Sequence, residues 1–337
     1  MKIVYVGARP QVNGATKVAI THCNILHKLG HEIRFAVLGT QSLDWGKPLI
    51  KVEYLTSLRR MKIDEQEMIV ALDCLVANWL VRQYGSQRVI SFIQTNEPNL
   101  YTDLELIKAA ESGFMLPNPK IVVSKYLQDV LKGYGSDSYI IAPSINEKSF
   151  YPIERSAPEA GKPFKVLIVG SYEHPLKQIP QAFTALEYLK SFGVDVRLVR
   201  LVRKEEAITP KDIETVWYVN PPQEDIGEIY RSVDALLFPS SSEGFGLPIL
   251  EAMTSGVPFV ATDSGGSREL MSEHGQDTLI DVGDTKAMGM ALYHLATKQE
   301  HWWNLRNLGL KQAKQWSWEE TGTILEKYLK SIYDTVF

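Results

Sequence analysis

Short apolar runs alternate along this chain with stretches of helical periodicity, and the alternation starts twice. Residues 2–6 are a compact apolar run, residues 15–29 carry apolar positions at helical spacing and stop at Gly30, and residues 33–38 are a second run. Such a pattern predicts strand, helix, strand, with Gly30 as a helix stop. It continues with a strand over 68–72, a helix over 74–84, a strand over 89–94, and a strand over 121–124 leading into a helix over 125–132. Residues 41–64 show no usable pattern. The alternation restarts at 165–169, with further strands expected over 194–199, 216–219, 235–238 and 258–262. Helices are expected over 226–232, from about Leu247, and from the Trp316–Trp318 cluster through Tyr333. Strands alternating with helices predict parallel sheets and an α/β fold class. The expected organisation is an N-terminal Rossmann-like domain over 1–148, a Pro-, Glu- and Gly-containing linker over 149–163, a second Rossmann-like domain over 164–315, and a C-terminal helix over 316–337. No internal repeat or low-complexity segment interrupts this plan.

The chemistry concentrates in residues 238–269, FPSSSEGFGLPILEAMTSGVPFVATDSGGSRE. Two successive strand-to-helix turns, the second at Gly265-Gly266, put free backbone N–H groups at the carboxyl edge of a parallel sheet. Open α/β sheets bind ligands at that edge, and helix N-termini favour anions there. Glu243 precedes the helix and Glu251 lies within it, eight positions on. Two lone glutamates in such places are more commonly solvated first-turn acids. Beside an anion-binding helix end, however, carboxylates suit hydroxyl groups, which they accept in charge-assisted hydrogen bonds. Phosphates together with hydroxyls describe a nucleotide sugar.

The block EGFGLPILEAMTSGVPFVATDSGGSREL resembles the donor-site signature of retaining glycosyltransferases of the GT-B fold, family 4 (GT4). The two glutamates, the intervening glycine turn and the later Gly-Gly-x-x-Glu, ending here at Glu269, all stand in place. That resemblance implies a GT-B fold, two doubly wound Rossmann-like domains with the C-terminal helix crossing back onto the first. It implies a retaining glycosyltransferase that moves a sugar from a nucleotide diphosphate sugar to an acceptor hydroxyl, as in bacterial surface polysaccharide or glycoconjugate synthesis. Glu251 would bind ribose hydroxyls, Glu243 with the Gly244, Phe245, Gly246 and Leu247 amides the sugar, and Lys177, after Gly170, the diphosphate. The base would rest near Val219, and Asn13-Gly14 would face the donor diphosphate or the acceptor. The acceptor would enter by Arg9, Thr16, Gln94 and Asn96. Glu243, Lys177 and Asn96 are the implied catalytic residues. Attack on the same face as departure, with the leaving phosphate taking the proton and linker closure gating the step, completes the implied mechanism.

The chain departs from the family pattern at two places. Asn96 stands where relatives often carry a histidine, and an amide donates and accepts hydrogen bonds but cannot take a proton. Ser171 stands where the family supplies an arginine to the diphosphate, six residues before Lys177; a lysine alone is a compact charge without the bidentate grip of arginine. His174 and Arg268 are the candidates to compensate. No D-x-D occurs, so neither a metal nor another cofactor is implied beyond the donor itself.

Composition adds limits. The 337 residues exceed one ordinary core and fit two domains, with 45% hydrophobic and 23% charged residues as in globular proteins. No apolar run reaches a membrane-spanning length, and the N-terminus reads as a strand rather than a leader, so a cytoplasmic protein is expected, peripheral at the inner membrane face if its acceptor is lipid-linked. Cys23 and Cys74 fall in apolar helical patterns and are expected as buried free thiols. Residues 1–150 hold 17 basic and 14 acidic side chains within a total of 36 and 40, which is no nucleic-acid footprint. The partners implied are a nucleotide sugar and a glycan, lipid-linked or small-molecule acceptor. Two other functions fit parts of the pattern: another GT-B enzyme (a sugar-nucleotide epimerase or a phosphorylase), and a catalytically weak sugar-nucleotide-binding scaffold.

Overall fold

Thirteen strands among the described residues form two sheets, each parallel throughout. The computed structural model describes all residues except 9–12, 41, 44–46 and 272–278. The chain divides into two units, Met1–Pro143 joined by Trp318–Phe337, and Ser144–Ser317.

In the first unit the strands are β1 (Lys2–Gly7), β2 (Glu32–Leu38), β3 (Lys51–Leu55), β4 (Glu67–Ala71), β5 (Val89–Ile93), β6 (Lys120–Val122) and β7 (Tyr139–Ile140), in the order β3-β2-β1-β4-β5-β6-β7. Helices α1 (Gly14–Lys28), α2 (Cys74–Tyr84), α3 (Leu104–Phe114) and α4 (Lys125–Gly133) make the crossovers. β1 past Lys2, β4 and β5 are buried throughout and mostly apolar, Glu67 and Ser91 being the polar exceptions, in the manner of strands covered on both faces. The strand order reverses between β1 and β4, the switch point where such sheets leave a crevice at their carboxyl ends. There the Ala8 N–H donates to Asp73 Oδ2 at 3.1 Å, while Asp73 Oδ1 caps α2 by accepting from Val76 N at 2.8 Å.

The second unit contains β8 (Phe164–Val169), β9 (Val196–Val202), β10 (Glu214–Val219), β11 (Ala235–Phe238), β12 (Phe259–Thr262) and β13 (Leu279–Ile280), ordered β10-β9-β8-β11-β12-β13, with its own reversal between β8 and β11. Its helices are α5 (Ile179–Ser191), α6 (Ile226–Arg231), α7 (Leu247–Thr254), α8 (Ser267–Leu270), α9 (Thr285–Thr297) and α10 (Gln299–Ala313). One apolar cluster, from Val166 and Ile168 through Leu186 and Leu198 to Leu292 and Trp302, is its core. Residues 151–163 contain no helix or strand and belong to this unit. They are held to it by Arg155, which pairs with Asp234 at 2.7 Å, and by Arg306, which donates to the Ile153 carbonyl at 2.7 Å.

The last helix, α11 (Trp318–Val336), packs on the first unit. Leu325 and Leu329 are buried, and Gly322 lies so close to α1 that a Cβ there would stand 2.8 Å from Ile25. Glu326 meets His31 at 2.8 Å, and Tyr328 stacks on Tyr139 with ring centroids 4.4 Å apart. The aromatic cluster before it splits: Trp318 contacts His22 edge-on in the first unit, whereas Trp316 contacts Phe245 in the second.

Several element bounds differ from the sequence expectation. β3 lies in the unpatterned stretch 41–64, because an edge strand buries little and its charges are used: Glu53 accepts from Arg34 at 2.8 Å. β9 runs to Val202 rather than 199, since the buried Arg200 that breaks its apolar run donates through its terminal nitrogens to the Ile168 and Gly170 carbonyls and to Glu206. β6 ends at Val122, and Ser124 instead caps α4 through Leu127 N at 3.2 Å. Cys23 and Cys74 are buried and free.

Candidate active site

The second unit gathers its polar groups at the switch point between β8 and β11. The loop after β8 begins at Gly170, whose φ of 120° lies outside what side-chain-bearing residues adopt with ease. A single 3₁₀ turn, Pro175–Lys177, then returns the chain toward the sheet. Lys177 packs its methylenes against Gly170, where a Cβ would stand 3.2 Å away, and its ammonium lies 5.5 Å from the centre of the Phe238 ring at the end of β11. The same ammonium contacts Glu243 Oε1 at 2.6 Å, and both side chains are mostly buried. A pair of this kind is a charge-assisted hydrogen bond rather than a solvated surface contact.

Glu243 is fixed by backbone. Its N–H donates to Ser264 O at 2.9 Å, its carbonyl accepts from Gly266 N at 3.0 Å, and it bridges in parallel with Gly265. The two glycine turns therefore interlock. A Cβ on Gly266 would lie 2.4 Å from the carbonyl carbon and oxygen of Gly244, so only glycine permits this approach. Beneath them Ser264, Ser267 and Thr262 form a buried chain, with Ser264 N and Oγ both within 3.1 Å of Ser267 Oγ and Ser267 donating to Thr262 O at 3.0 Å.

Gly246 opens α7 at φ 105°, with no side chain capping the helix and no acid in its first turn. The positive end of its dipole is thus left facing the loop. Glu251, farther along α7, is 9% exposed and accepts from Tyr230 Oη at 2.8 Å. Burial, followed by the adjacent carboxylate, holds the Tyr230 phenol well above its usual pKa, so it stays a donor. Tyr230 fixes where Glu251 points, a role that sequence pattern did not single out. Val219 ends β10 half-open to solvent, and Asn220 beyond it takes φ 44° while donating its N–H to Val202 O at 2.7 Å.

The place of the absent arginine has its own structure. Glu206, brought up after β9, accepts from Tyr172 N at 3.0 Å, from the Ser171 side chain, and from Arg200 at 2.9 Å. Burial works to raise the Glu206 pKa, but these donors outweigh it and the carboxylate is held below its ordinary range. Arg200 is fully buried and also donates to Gly170 O at 2.7 Å. It braces the loop and has no reach to a ligand. The two expected substitutes for the arginine carry other interactions: Arg268 pairs with both oxygens of Asp263, and His174 is pushed toward neutrality by burial and then by Lys177.

The residues expected on the acceptor side, and Asn13-Gly14 expected at the donor, lie in the first unit. Asn13 caps α1, its Oδ1 accepting from Thr16 N at 2.7 Å; Gly14 is the first residue of that helix, and Thr16 is buried. Gln94, just past β5, donates to Ala15 O at 3.0 Å, and Asn96 donates to Tyr126 Oη at 3.4 Å. Arg9 lies outside the described residues. Next to Asn96, Glu97 is buried and accepts from Cys74 N through both oxygens, at 2.8 and 3.1 Å. Burial and then the neighbouring Asp73 charge raise its pKa to about 8.

Comparison with known proteins matches residues 162–298 to the family described as glycosyl transferases group 1. D-inositol 3-phosphate glycosyltransferase of Corynebacterium urealyticum is 26% identical over 229 residues, 60% of this chain and 54% of that protein. O-antigen chain mannosyltransferase B of Escherichia coli is 36% identical over 103 residues, 30% of this chain and 26% of that protein. The chain thus spans about half or less of the length of these curated relatives. Among solved structures, sucrose-phosphate synthase of Thermosynechococcus elongatus superposes with a TM-score of 0.78 at 13% identity, over 99% of this chain and 100% of that one. Anabaena HepE in complex with UDP and glucose gives 0.79 at 15% identity, over 98% and 100%. The fold is GT-B.

Proposed function

We propose, from the match of residues 162–298 to the glycosyl transferases group 1 family, that the protein is a retaining glycosyltransferase using a nucleotide diphosphate sugar. The observation that carries this reading is the Lys177–Glu243 pair at the mouth of uncapped α7, with Glu251 held behind it by Tyr230. An ammonium and a helix N-terminus suit the diphosphate, and two carboxylates suit the hydroxyls on either side of it. Glu251 would hold the ribose, Glu243 and the Gly244–Leu247 backbone the sugar, and Lys177 the diphosphate, with the base near Val219.

In the reaction, the acceptor oxygen bonds to the anomeric carbon while the bond from that carbon to the phosphate oxygen breaks on the same face. The acceptor proton passes to the departing phosphate. Stabilising that phosphate is the main catalytic task, and the proposal assigns it to side chains and backbone without a resident metal. The acceptor is assigned to the first unit's carboxyl edge near Thr16, Gln94 and Asn96, and Asn96 would position it without acting as a base. Surface polysaccharide or glycoconjugate synthesis in the cytoplasm is the proposed setting. Among the described residues no helix is long and apolar enough to cross a membrane; contact with a lipid-linked acceptor is proposed as peripheral.

Thermal shift with UDP, GDP, dTDP and ADP and their common sugars tests the donor site, with UDP first because HepE is seen with UDP and glucose. A ligand at a hundred times its Kd adds about 2.7 kcal/mol of stability. The expected result is a rise with one base that Glu251→Ala abolishes. No rise with any nucleotide would remove the proposal. The serine at 171 favours one second reading, a sugar-nucleotide-binding protein without turnover, which would show the shift but no loss of donor sugar to any acceptor or to water.

A further inference from the structure

We propose that a cleft at the amino edge of the first unit's sheet is a second binding site, suited to a small anionic polyol such as a hydroxy acid or a sugar phosphate. β6 begins at Lys120 and β7 at Tyr139, and the two strands run parallel with Ile121 opposite Tyr139. Both residues therefore stand at the end of the sheet opposite the carboxyl edge that carries Gln94 and Asn96. The loops 115–119 and 135–138, with Tyr328 of α11, complete the walls around a volume of about 530 Å³. All of these residues belong to one unit.

The charge in this cleft is a lysine without a counter-ion. Lys120 is 2% exposed, and its ammonium donates to the carbonyl of Leu116 and, at 3.1 Å, to that of Asn118. Among the described residues no carboxylate pairs with it. Burial lowers its pKa to about 8, so it still carries its proton near neutral pH. An ammonium has three N–H groups, and two carbonyls leave one for an anion. Groups that take hydroxyls stand beside it. Asn118 is 6% exposed and spends its amide N–H groups on Val89 O and Ser91 Oγ, both at 3.0 Å, while its Oδ1 is buried without a hydrogen-bond partner. Ser138 Oγ is likewise buried and unpartnered. Such atoms cost stability until a partner is supplied, and ligand hydroxyls would supply one directly or through a water. Tyr139, 44% exposed, stacks on Tyr328 with ring centroids 4.4 Å apart, an aromatic surface for the carbon skeleton. Asp137 is the one acid among the lining residues, and it is exposed, so solvent screens it. An apolar carboxylate would serve the lysine and the tyrosines but leave Asn118 and Ser138 without partners. A neutral sugar would do the reverse. An anionic polyol serves all of them.

The test uses the full chain with gluconate, glycerol phosphate and neutral sorbitol, read by ligand-observed NMR, and the variants Lys120→Met, Tyr139→Ala and Glu251→Ala. Gluconate, glycerol phosphate or both are expected to bind, which tells a carboxylate head from a phosphate head, with sorbitol at least about tenfold weaker. Lys120→Met keeps the apolar stem and removes the charge, and should weaken the anion by about 10- to 100-fold. Tyr139→Ala changes an exposed position, leaves the buried lysine in place, and should weaken the anion by about 2- to 10-fold. Glu251→Ala should leave anion binding unchanged, which separates this cleft from the proposed nucleotide site. No binding of either anion, sorbitol binding as tightly as the anions, or anion binding that Glu251→Ala abolishes would each overturn the proposal. So would anion binding unaltered in both Lys120→Met and Tyr139→Ala, and if Lys120→Met fails to fold, Tyr139→Ala alone decides.

Discussion

Lys177 and Glu243 touch at 2.6 Å, so each holds a partner that a substrate at the proposed site would share or replace. That contact aims the ammonium, and at the proposed diphosphate site a group already aimed is what preorganisation means. Lys177→Ala removes charge from the leaving group and leaves Glu243 without this counter-ion. The expected loss is about 10²- to 10³-fold in kcat, the range for deleting one preorganised stabiliser, measured by initial rates at saturating donor. Because side chains carry the charge in this proposal, EDTA is expected to leave the rate unchanged; a loss restored by added Mg²⁺ would count against it. Residue-scale legibility was uneven. Glu243, Glu251 and Lys177 stood out through the motif around them. Tyr230 and Arg200 did not, since a tyrosine in a short helix and an arginine in an apolar run take their roles from partners 21 and 30 positions away in sequence.

Elements become a site here by interlocking. β11 and β12 each end in a glycine turn, and the turns meet where Gly266 faces Gly244 with no room for a methyl group. Gly266→Ala is expected to destabilise the second unit by at least about 1–3 kcal/mol, as overpacking does, and to separate Glu243 from its backbone bridge. Urea unfolding followed by tryptophan fluorescence measures the first effect and nucleotide affinity the second. At this scale most elements could be read from apolar periodicity, because strands buried on both faces form unbroken runs. β3 could not, being a charged edge strand, and the far end of β9 was hidden by Arg200. Ser171 was legible as a departure, yet only the structure shows that its side chain serves Glu206.

Across the whole molecule, buried ionisable groups set how stability responds to pH. Glu97 titrates near pH 8 in the folded chain against an ordinary 4.5, so the folded state holds a proton that the unfolded chain has released. Its contribution is complete below pH 4.5 and is lost as pH rises toward 8. His22, lowered by burial from 6.5 to about 3, acts in the opposite sense at lower pH, and Lys120, lowered by burial from 10.5 to about 8, acts above that window. Between pH 6.5 and 8 the Glu97 slope is therefore isolated from these two. Stability of the first unit should fall there by up to about 1.4 kcal/mol per pH unit, and Glu97→Gln should flatten the decline in a series of denaturant titrations. The same unit depends on α11, so ending the chain at Ser317 is expected to lower the melting transition of the first unit and spare that of the second. Calorimetry of the truncated chain checks this. A chain built this way also has an order of birth. As it leaves the ribosome, residues 144–317 emerge as a unit complete in itself, while the unit begun first waits for residues 318–337 to supply Leu325 and Leu329 to its surface. The proposed nucleotide-binding half would thus be ready before the proposed acceptor half, which is finished only once residues 318–337 have emerged.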